Sequence, residues 1–109
     1  METRETAQEL VHDLYNCLVK QPDPSEGLQD IVDVLLQVYK KLDTAKNPEA
    51  LVNRLVNYIY SVGLASRVHF DKKEEQLLID LSVIGQRAGL NGVYRSNTSD
   101  KTQFFGYLD

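Results

Sequence analysis

The sequence predicts an all-α protein: an antiparallel, up-down-up-down four-helix bundle followed by a non-helical C-terminal tail. In four successive segments, apolar residues recur at spacings of three and four, which places them on one face of a helix. Short stretches of turn-forming residues separate these segments, and short connections make consecutive helices antiparallel neighbours. A chain of 109 residues has the length of one domain, which we expect to span residues 1–109.

The first two helices are predicted at about residues 2–19 and 24–45. The second begins with a capping signal, because Asp23 can act as N-cap, Pro24 occupies the first helical position and Glu26 completes a capping box. The predicted core positions of both helices are Ala7, Val11, Leu14, Leu18, Leu28, Ile31, Leu35, Val38 and Leu42.

The third helix is predicted at residues 48–65, with Asn47 as its N-cap and Pro48 in its first turn. It holds only two charged residues, Glu49 and Arg54. We therefore expect it to be the most buried helix, or to present an apolar patch to a partner. Its predicted core positions are Leu51, Val52, Leu55, Val56, Ile59 and Val62.

The fourth helix is predicted at residues 72–88, where Asp71 and Glu74 have the spacing of a capping box. Within it, Gly85 favours close packing against a neighbouring helix, and Gly89 favours termination. Its predicted core positions are Leu77, Leu81, Ile84 and Ala88.

Composition and charge exclude several classes of protein. A net charge of −4 argues against nonspecific nucleic-acid binding, which needs a basic face. The single cysteine, Cys17, cannot form an internal disulfide; we expect a buried thiol and a reducing, cytoplasmic compartment. The charged N-terminus lacks the apolar segment of a secretory signal. No stretch of the sequence has the roughly 18 apolar residues that are needed to span a bilayer.

Neither histidine lies in a catalytic or metal-binding pattern. Glu9 and His12 have the Glu-x-x-His spacing of di-iron bundles, but the other histidine, His69, has Ser66 three residues before it. We expect His12 on the surface and His69 in a loop. The sequence therefore predicts no enzyme, no cofactor and no metal site.

Two tyrosines near the end of the third helix point in different directions. Tyr58 and Tyr60 are two residues apart, which separates them by about 200° around a helix. At least one is expected to be partly exposed. We regard Tyr60 as a candidate partner-binding residue, while the alternative is that it covers the edge of the core.

Four long blocks resemble immunity proteins against pediocin-like (class IIa) bacteriocins, especially the enterocin A immunity type. They are VHDLYN at 11–16, VLLQVYKKL at 34–42, LVNRLVNYIY at 51–60 and LSVIGQRAGLNGVYRSNTSDKTQF at 81–104. The likeness covers nearly the whole chain but not the connection at 21–27 or the final FGYLD.

The resemblance implies a function in self-protection. Such proteins are four-helix bundles of the producing cell's cytoplasm, with a minor membrane-associated fraction. They act from inside on the complex between the bacteriocin and its receptor, the membrane components of the mannose phosphotransferase system. The alternative, from the residues alone, is a helical antitoxin or adaptor module that binds a soluble protein.

The tail at residues 90–109 is the other predicted recognition element. The resemblance attributes specificity to the C-terminal half, and aromatic and arginine side chains are enriched among residues that dominate interfaces. The alternative is that part of the tail covers the end of the bundle. With Tyr60, the candidate partner-binding residues are Tyr94, Arg95, Lys101, Phe104, Phe105 and Tyr107.

Overall fold

The computed structural model describes residues 3–21 and 26–87, and within them the chain forms a four-helix bundle. The predicted all-α fold class is therefore confirmed. The C-terminal tail and the second helix's predicted first residues lie outside the described residues. The helices are α1 (Thr3–Val19), α2 (Glu26–Leu42), α3 (Pro48–Ala65) and α4 (Lys72–Gln86).

The helices are arranged in a square, in which each packs against its two neighbours and α1 lies diagonally across from α3. Cross-helix contacts show that neighbours run antiparallel. Arg4 at the start of α1 donates to the carbonyl of Leu42 at the end of α2. Gln21, just after α1, donates to Glu74 in the first turn of α4.

The core is formed by the predicted apolar faces of all four helices. Tyr58 is the largest side chain in it, and the predicted core positions of α3 are buried except Val62, which is only partly buried and packs against the core. Cys17 is only partly buried and packs against the edge of the core, so its predicted burial is incomplete. Buried apolar residues from α1, α2 and α4 include Ala7, Val11, Leu14, Leu18, Leu28, Ile31, Leu35, Val38, Leu42, Leu77, Leu81 and Ile84.

The predicted caps of α3 and α4 are confirmed by hydrogen bonds. The Asn47 side chain accepts from the backbone N–H of Ala50 at 3.1 Å, with Pro48 in the first turn. Asp71 accepts from the N–H of Glu74 at 2.8 Å, and the Glu74 carboxylate accepts from the N–H of Asp71 at 2.9 Å. Both orphan amides of this capping box are thus satisfied.

The second helix ends at Leu42, three residues before the predicted end at Ala45. The amides of Asp43 and Thr44 bond to carbonyls three residues earlier, which tightens the chain into a turn. The Leu42 carbonyl accepts instead from Arg4, which caps the helix from 38 residues away.

Gly85 packs closely against α3, as predicted. A Cβ atom at this position would lie 2.8 Å from the Cα of Asn53, so α3 and α4 approach more closely there than a side chain allows. The helix ends at Gln86, two residues before the predicted residue 88, and Arg87 is its C-cap. The predicted stop at Gly89 lies outside the described residues.

Candidate interaction surface

The outward side of α3 exposes apolar side chains near its C-terminus. Tyr58 is 1% exposed and Tyr60 is 48% exposed, which confirms the prediction that at least one of these two tyrosines is partly exposed. One turn further, Leu64 is 83% exposed, the most exposed of the large apolar side chains that the structure describes. The helix with the fewest charges thus fills the core on one side and presents an apolar patch on the other.

The last turn of α3 closes in a Schellman motif. The amide of Val68 donates to the Gly63 carbonyl at 2.9 Å, and the amide of Arg67 donates to the Leu64 carbonyl at 3.3 Å. The residue between these bonds must adopt a left-handed conformation, and Arg67 does so with φ of 56°. Glycine usually occupies this position, because a Cβ atom is disfavoured there.

Beyond this motif, the chain folds back and borders an open pocket of about 340 Å³ at the end of α3. The ring of Phe70 forms one wall and approaches Gly63 so closely that a Cβ atom there would lie 3.1 Å from it. We call this the α3-end pocket. It is lined by Tyr60, Gly63, Leu64, Arg67, Val68, His69 and Phe70.

The exposed side of α4 also carries apolar side chains. Ile79 and Val83, one turn apart on the same face, are 49% and 48% exposed. Gly85 of α4 contacts Asn53 of α3, and this contact fixes how the two antiparallel helices are aligned. Seven residues after Asn53 is Tyr60, and seven residues before Gly85 is Leu78, so Tyr60 and Leu78 lie level with each other.

Tyr60 therefore lies at the height where Ile79 emerges from α4. Tyr60, Leu64, Ile79 and Val83 are four of the exposed large apolar residues of the described chain. We call these four residues the α3–α4 outer face. An aromatic and aliphatic surface of this kind is typical of a protein interaction site.

Charged side chains of both signs lie near the α3-end pocket. Arg67, Lys72 and Lys73 are exposed, as is His69 between them in the chain. The nearby carboxylate of Asp71 is engaged in the capping box. A carboxylate that accepts hydrogen bonds keeps its charge, so the three carboxylates at positions 71, 74 and 75 balance the three cations in this part of the chain.

Hydrogen bonds from Gln21 hold the segment that connects α3 to α4. The side-chain amide of Gln21 donates to the His69 carbonyl and to the Glu74 carboxylate, both at 3.1 Å. Glu74 is 3% exposed and also accepts from the Asp71 amide, so its burial is compensated by two hydrogen bonds. The segment between α3 and α4 is thus tied to the end of α1.

The described residues include one of the predicted partner-binding residues, Tyr60. Sequence reasoning did not single out Leu64, Ile79 or Val83, although each breaks the apolar pattern of its helix on the polar side. The sequence did not indicate the left-handed conformation of Arg67, because such a helix cap is predicted from a glycine or an asparagine. The other predicted residues, Tyr94, Arg95, Lys101, Phe104, Phe105 and Tyr107, lie outside the described residues.

The histidines are placed as expected, His12 on the surface of α1 and His69 in the α3–α4 connection. His12 lies 3.4 Å from the side-chain nitrogen of Asn16, and its ring packs against Tyr39 with centroids 5.7 Å apart. Within residues 3–21 and 26–87, no cluster of three or more His, Cys, Asp or Glu side chains could hold a metal ion. Over the same residues, no helix is both long enough and apolar enough to cross a bilayer.

Known proteins with similar sequences share one activity in their names. A family model described as the bacteriocin immunity protein family matches residues 5–86. The chain is 54% identical to a protein of Leuconostoc mesenteroides named as a probable mesentericin immunity protein. It is 52% identical to a probable leucocin-A immunity protein of Leuconostoc gelidum. Each match covers 96 residues, 88% of this chain and 84% of the relative.

A solved structure shows the same fold. The crystal structure of the enterocin A immunity protein, which confers immunity to that pediocin-like bacteriocin, superposes with a TM-score of 0.65. The two proteins are 42% identical, over 89% of this chain and 98% of the solved one. The family match spans α1 to α4, and with these relatives it shows that the chain belongs to the bacteriocin immunity protein family.

Proposed function

We propose that this protein protects the cell that makes it from a pediocin-like bacteriocin. The observation that carries the proposal is the 42% identity, over nearly the full length of both chains, to an immunity protein against enterocin A. Two further relatives at more than half identity are named for immunity to mesentericin and leucocin A. Protection rests on binding and involves no catalysis.

The protein acts from the cytoplasmic side on the complex of the bacteriocin with its receptor, the membrane components of the mannose phosphotransferase system. A minor fraction of it associates peripherally with the membrane through this complex. The α3–α4 outer face and the α3-end pocket support a binding role, because they combine exposed aromatic, aliphatic and cationic groups. Direct capture of free bacteriocin is not part of the proposal.

Expression in a sensitive strain tests the proposed protection. Cells carrying the gene are challenged with leucocin A, mesentericin and enterocin A, and the minimal inhibitory concentration is compared with that of empty-vector cells. We expect at least one of these concentrations to rise by roughly tenfold or more. Protection against none of a wide panel of pediocin-like bacteriocins would refute the proposal and favour an antitoxin or adaptor role.

Co-purification tests the proposed partner. The tagged protein should retain the mannose phosphotransferase membrane components from detergent extracts of cells exposed to bacteriocin, and not from unexposed cells. Fractionation of the same cells should find the protein mainly in the cytoplasm, with more at the membrane after exposure. Retention of bacteriocin from cells that lack the receptor would contradict this mechanism.

The tail is proposed to contribute to recognition together with Tyr60. Truncation after Asn91 should leave helix content unchanged by circular dichroism but abolish protection, and Phe105→Ala with Tyr107→Ala should weaken it. Full protection by the truncated protein would show that the tail is not needed for specificity. Unfolding of the truncated protein would show that the tail covers the core. The tail residues concerned are Tyr94, Arg95, Lys101, Phe104, Phe105 and Tyr107.

A further inference from the structure

We propose that α4 is the contact surface of a weak, two-fold symmetric homodimer, in which it packs antiparallel against α4 of a second copy of this chain. The contact is centred on Ile79 and Val83, and it is aligned by ion pairs between Glu75 of each copy and Arg87 of the other. The inference goes beyond the proposed function and does not depend on it, because self-association is a property of the purified protein.

Four exposed residues form a continuous row along the outward side of α4. They recur at intervals of four, the spacing that forms ridges on the surface of a helix, and they are Glu75, Ile79, Val83 and Arg87. The C-cap, Arg87, keeps helical dihedral angles, so the row continues to it and is about 18 Å long. Leu81, midway along the row, is fully buried and marks the opposite side of the helix. Contacts between such rows are the commonest kind of helix packing in globular proteins.

The order of the residues makes this row complementary to itself when it is reversed. A two-fold axis at the height of Leu81 sets Ile79 against the partner's Val83, and Glu75 against the partner's Arg87. Opposite charges then meet at both ends of the contact, and aliphatic side chains meet at its centre. In a parallel pair each residue would face its own counterpart, so that the two glutamates would repel each other, as would the two arginines. The charges therefore favour the antiparallel dimer.

The remaining charges of α4 do not oppose this contact. With its C-cap, the helix carries basic side chains at positions 72, 73 and 87 and acidic ones at 74, 75 and 80, so their charges sum to zero. The Asp80 carboxylate accepts a hydrogen bond from Gln76 at 3.0 Å on the same helix, and the two-fold axis sets it against the partner's Ser82. Lys72 lies level with residue 90 of the second copy, which is outside the described residues. Although the chain has a net charge of −4, dimerisation brings no excess of either sign into contact.

The contact is small, so we expect the dimer to be weak. One pair of helices buries less than the roughly 1,200 Å² of a standard interface, which is the range of transient complexes. We expect a dissociation constant on the order of 100 µM for the purified full chain. Neither Tyr60 nor Leu64 belongs to the row, so this self-contact is distinct from the α3 half of the α3–α4 outer face.

Charge reversal tests the pairing in the full chain. Sedimentation equilibrium from about 10 µM to about 1 mM should show the wild type passing from monomer to dimer. Glu75→Arg and Arg87→Glu each place like charges at both ends of the contact, so either one should weaken the dimer by roughly tenfold or more. The double variant exchanges the two charges and should associate like the wild type. An equimolar mixture of the two single variants should form a heterodimer, because opposite charges then meet at both ends.

Two further variants separate the row from the rest of the exposed apolar surface. Ile79→Ser removes an aliphatic side chain from the centre of the contact and should weaken the dimer by roughly tenfold. Leu64→Ser removes the most exposed large apolar side chain of the described residues, which lies on α3, and is the matched control that should associate normally. All these positions are exposed, so circular dichroism should show unchanged helix content. If a charge variant does not fold, the comparison of Ile79→Ser with Leu64→Ser decides.

Several results would overturn the inference. A wild-type chain that stays monomeric at about 1 mM would do so, as would wild-type association by the folded single charge variants. A mixture of the two single variants that remains monomeric would show that Glu75 and Arg87 do not pair. Equal weakening by Ile79→Ser and Leu64→Ser would show that the copies meet through a different surface. Because the dimer is measured in purified protein, these results are separate from any failure of protection in cells.

Discussion

The two ends of α3 are built in different ways. At its N-terminus, Asn47 caps the helix, Pro48 occupies the first turn, and Gly85 of α4 packs against the backbone of Asn53. At its C-terminus, one of the closing positions is held by an arginine in a left-handed conformation. The preceding turn exposes Leu64 almost fully to solvent.

The difference shows which end of the helix is optimised for stability. At the first end, the Asn47 side chain satisfies the Ala50 amide and Gly85 packs closely against Asn53, in agreement with local preferences. The second has a strained backbone, which costs about 1 kcal/mol, and an apolar side chain that gains nothing from its position in the free protein. Departures from local rules that bring no structural gain indicate a surface kept for binding.

Replacing a glycine by alanine near each end of α3 gives the largest expected difference in stability between the two ends. Gly85→Ala should lower the free energy of unfolding by about 2–3 kcal/mol, because its Cβ would lie 2.8 Å from the Cα of Asn53, a backbone atom that cannot move alone. Gly63→Ala meets only the ring of Phe70, at 3.1 Å, and a side chain can shift.

Urea denaturation of both glycine variants measures this contrast. For Gly63→Ala, the gain in helix propensity of about 1 kcal/mol offsets most of the repacking, so we expect a net change within about 1 kcal/mol. Equal losses at the two positions would show that both ends of the helix are packed with the same rigidity.

Removal of a cap gives a smaller contrast. Asn47→Ala should cost about 1 kcal/mol, because the Ala50 amide loses its side-chain acceptor. Ser66, the C-cap at the other end, takes part through its backbone amide, so Ser66→Ala should change stability by less than about 0.5 kcal/mol. Thermal unfolding of both variants checks this, and a larger loss for Ser66→Ala would reverse the assignment of the stable end.

The caps of α3 and α4 could be predicted from the sequence because their signals are local. An N-cap, a proline in the first turn and a capping box each depend on residues within four positions of one another, so Asn47 and the Asp71–Glu74 pair are readable directly. The apolar seams are equally local, since periodicity alone assigns the buried face of each helix.

The remaining features depend on contacts between distant parts of the chain. The end of α2 is set by Arg4, which lies 38 residues from the Leu42 carbonyl that it caps. The buried Glu74 depends on Gln21, which lies beyond the end of α1. Leu64 lies on the polar side of the apolar pattern of α3, but the pattern does not show that the packed bundle leaves this side open to solvent. Periodicity contains no information on such long-range choices.

An exposed leucine in each half of the bundle gives the smallest expected effect on stability and the sharpest one on function. Leu64→Ser should change the free energy of unfolding by less than about 0.5 kcal/mol, because the side chain is already 83% exposed. Leu64→Ser should lower protection, because Leu64 belongs to the α3–α4 outer face and also lines the α3-end pocket. Leu36→Ser on α2, where the side chain is 37% exposed, is the matched control and should protect normally. Equal loss of protection in the two variants would mean that recognition is spread over both halves of the bundle.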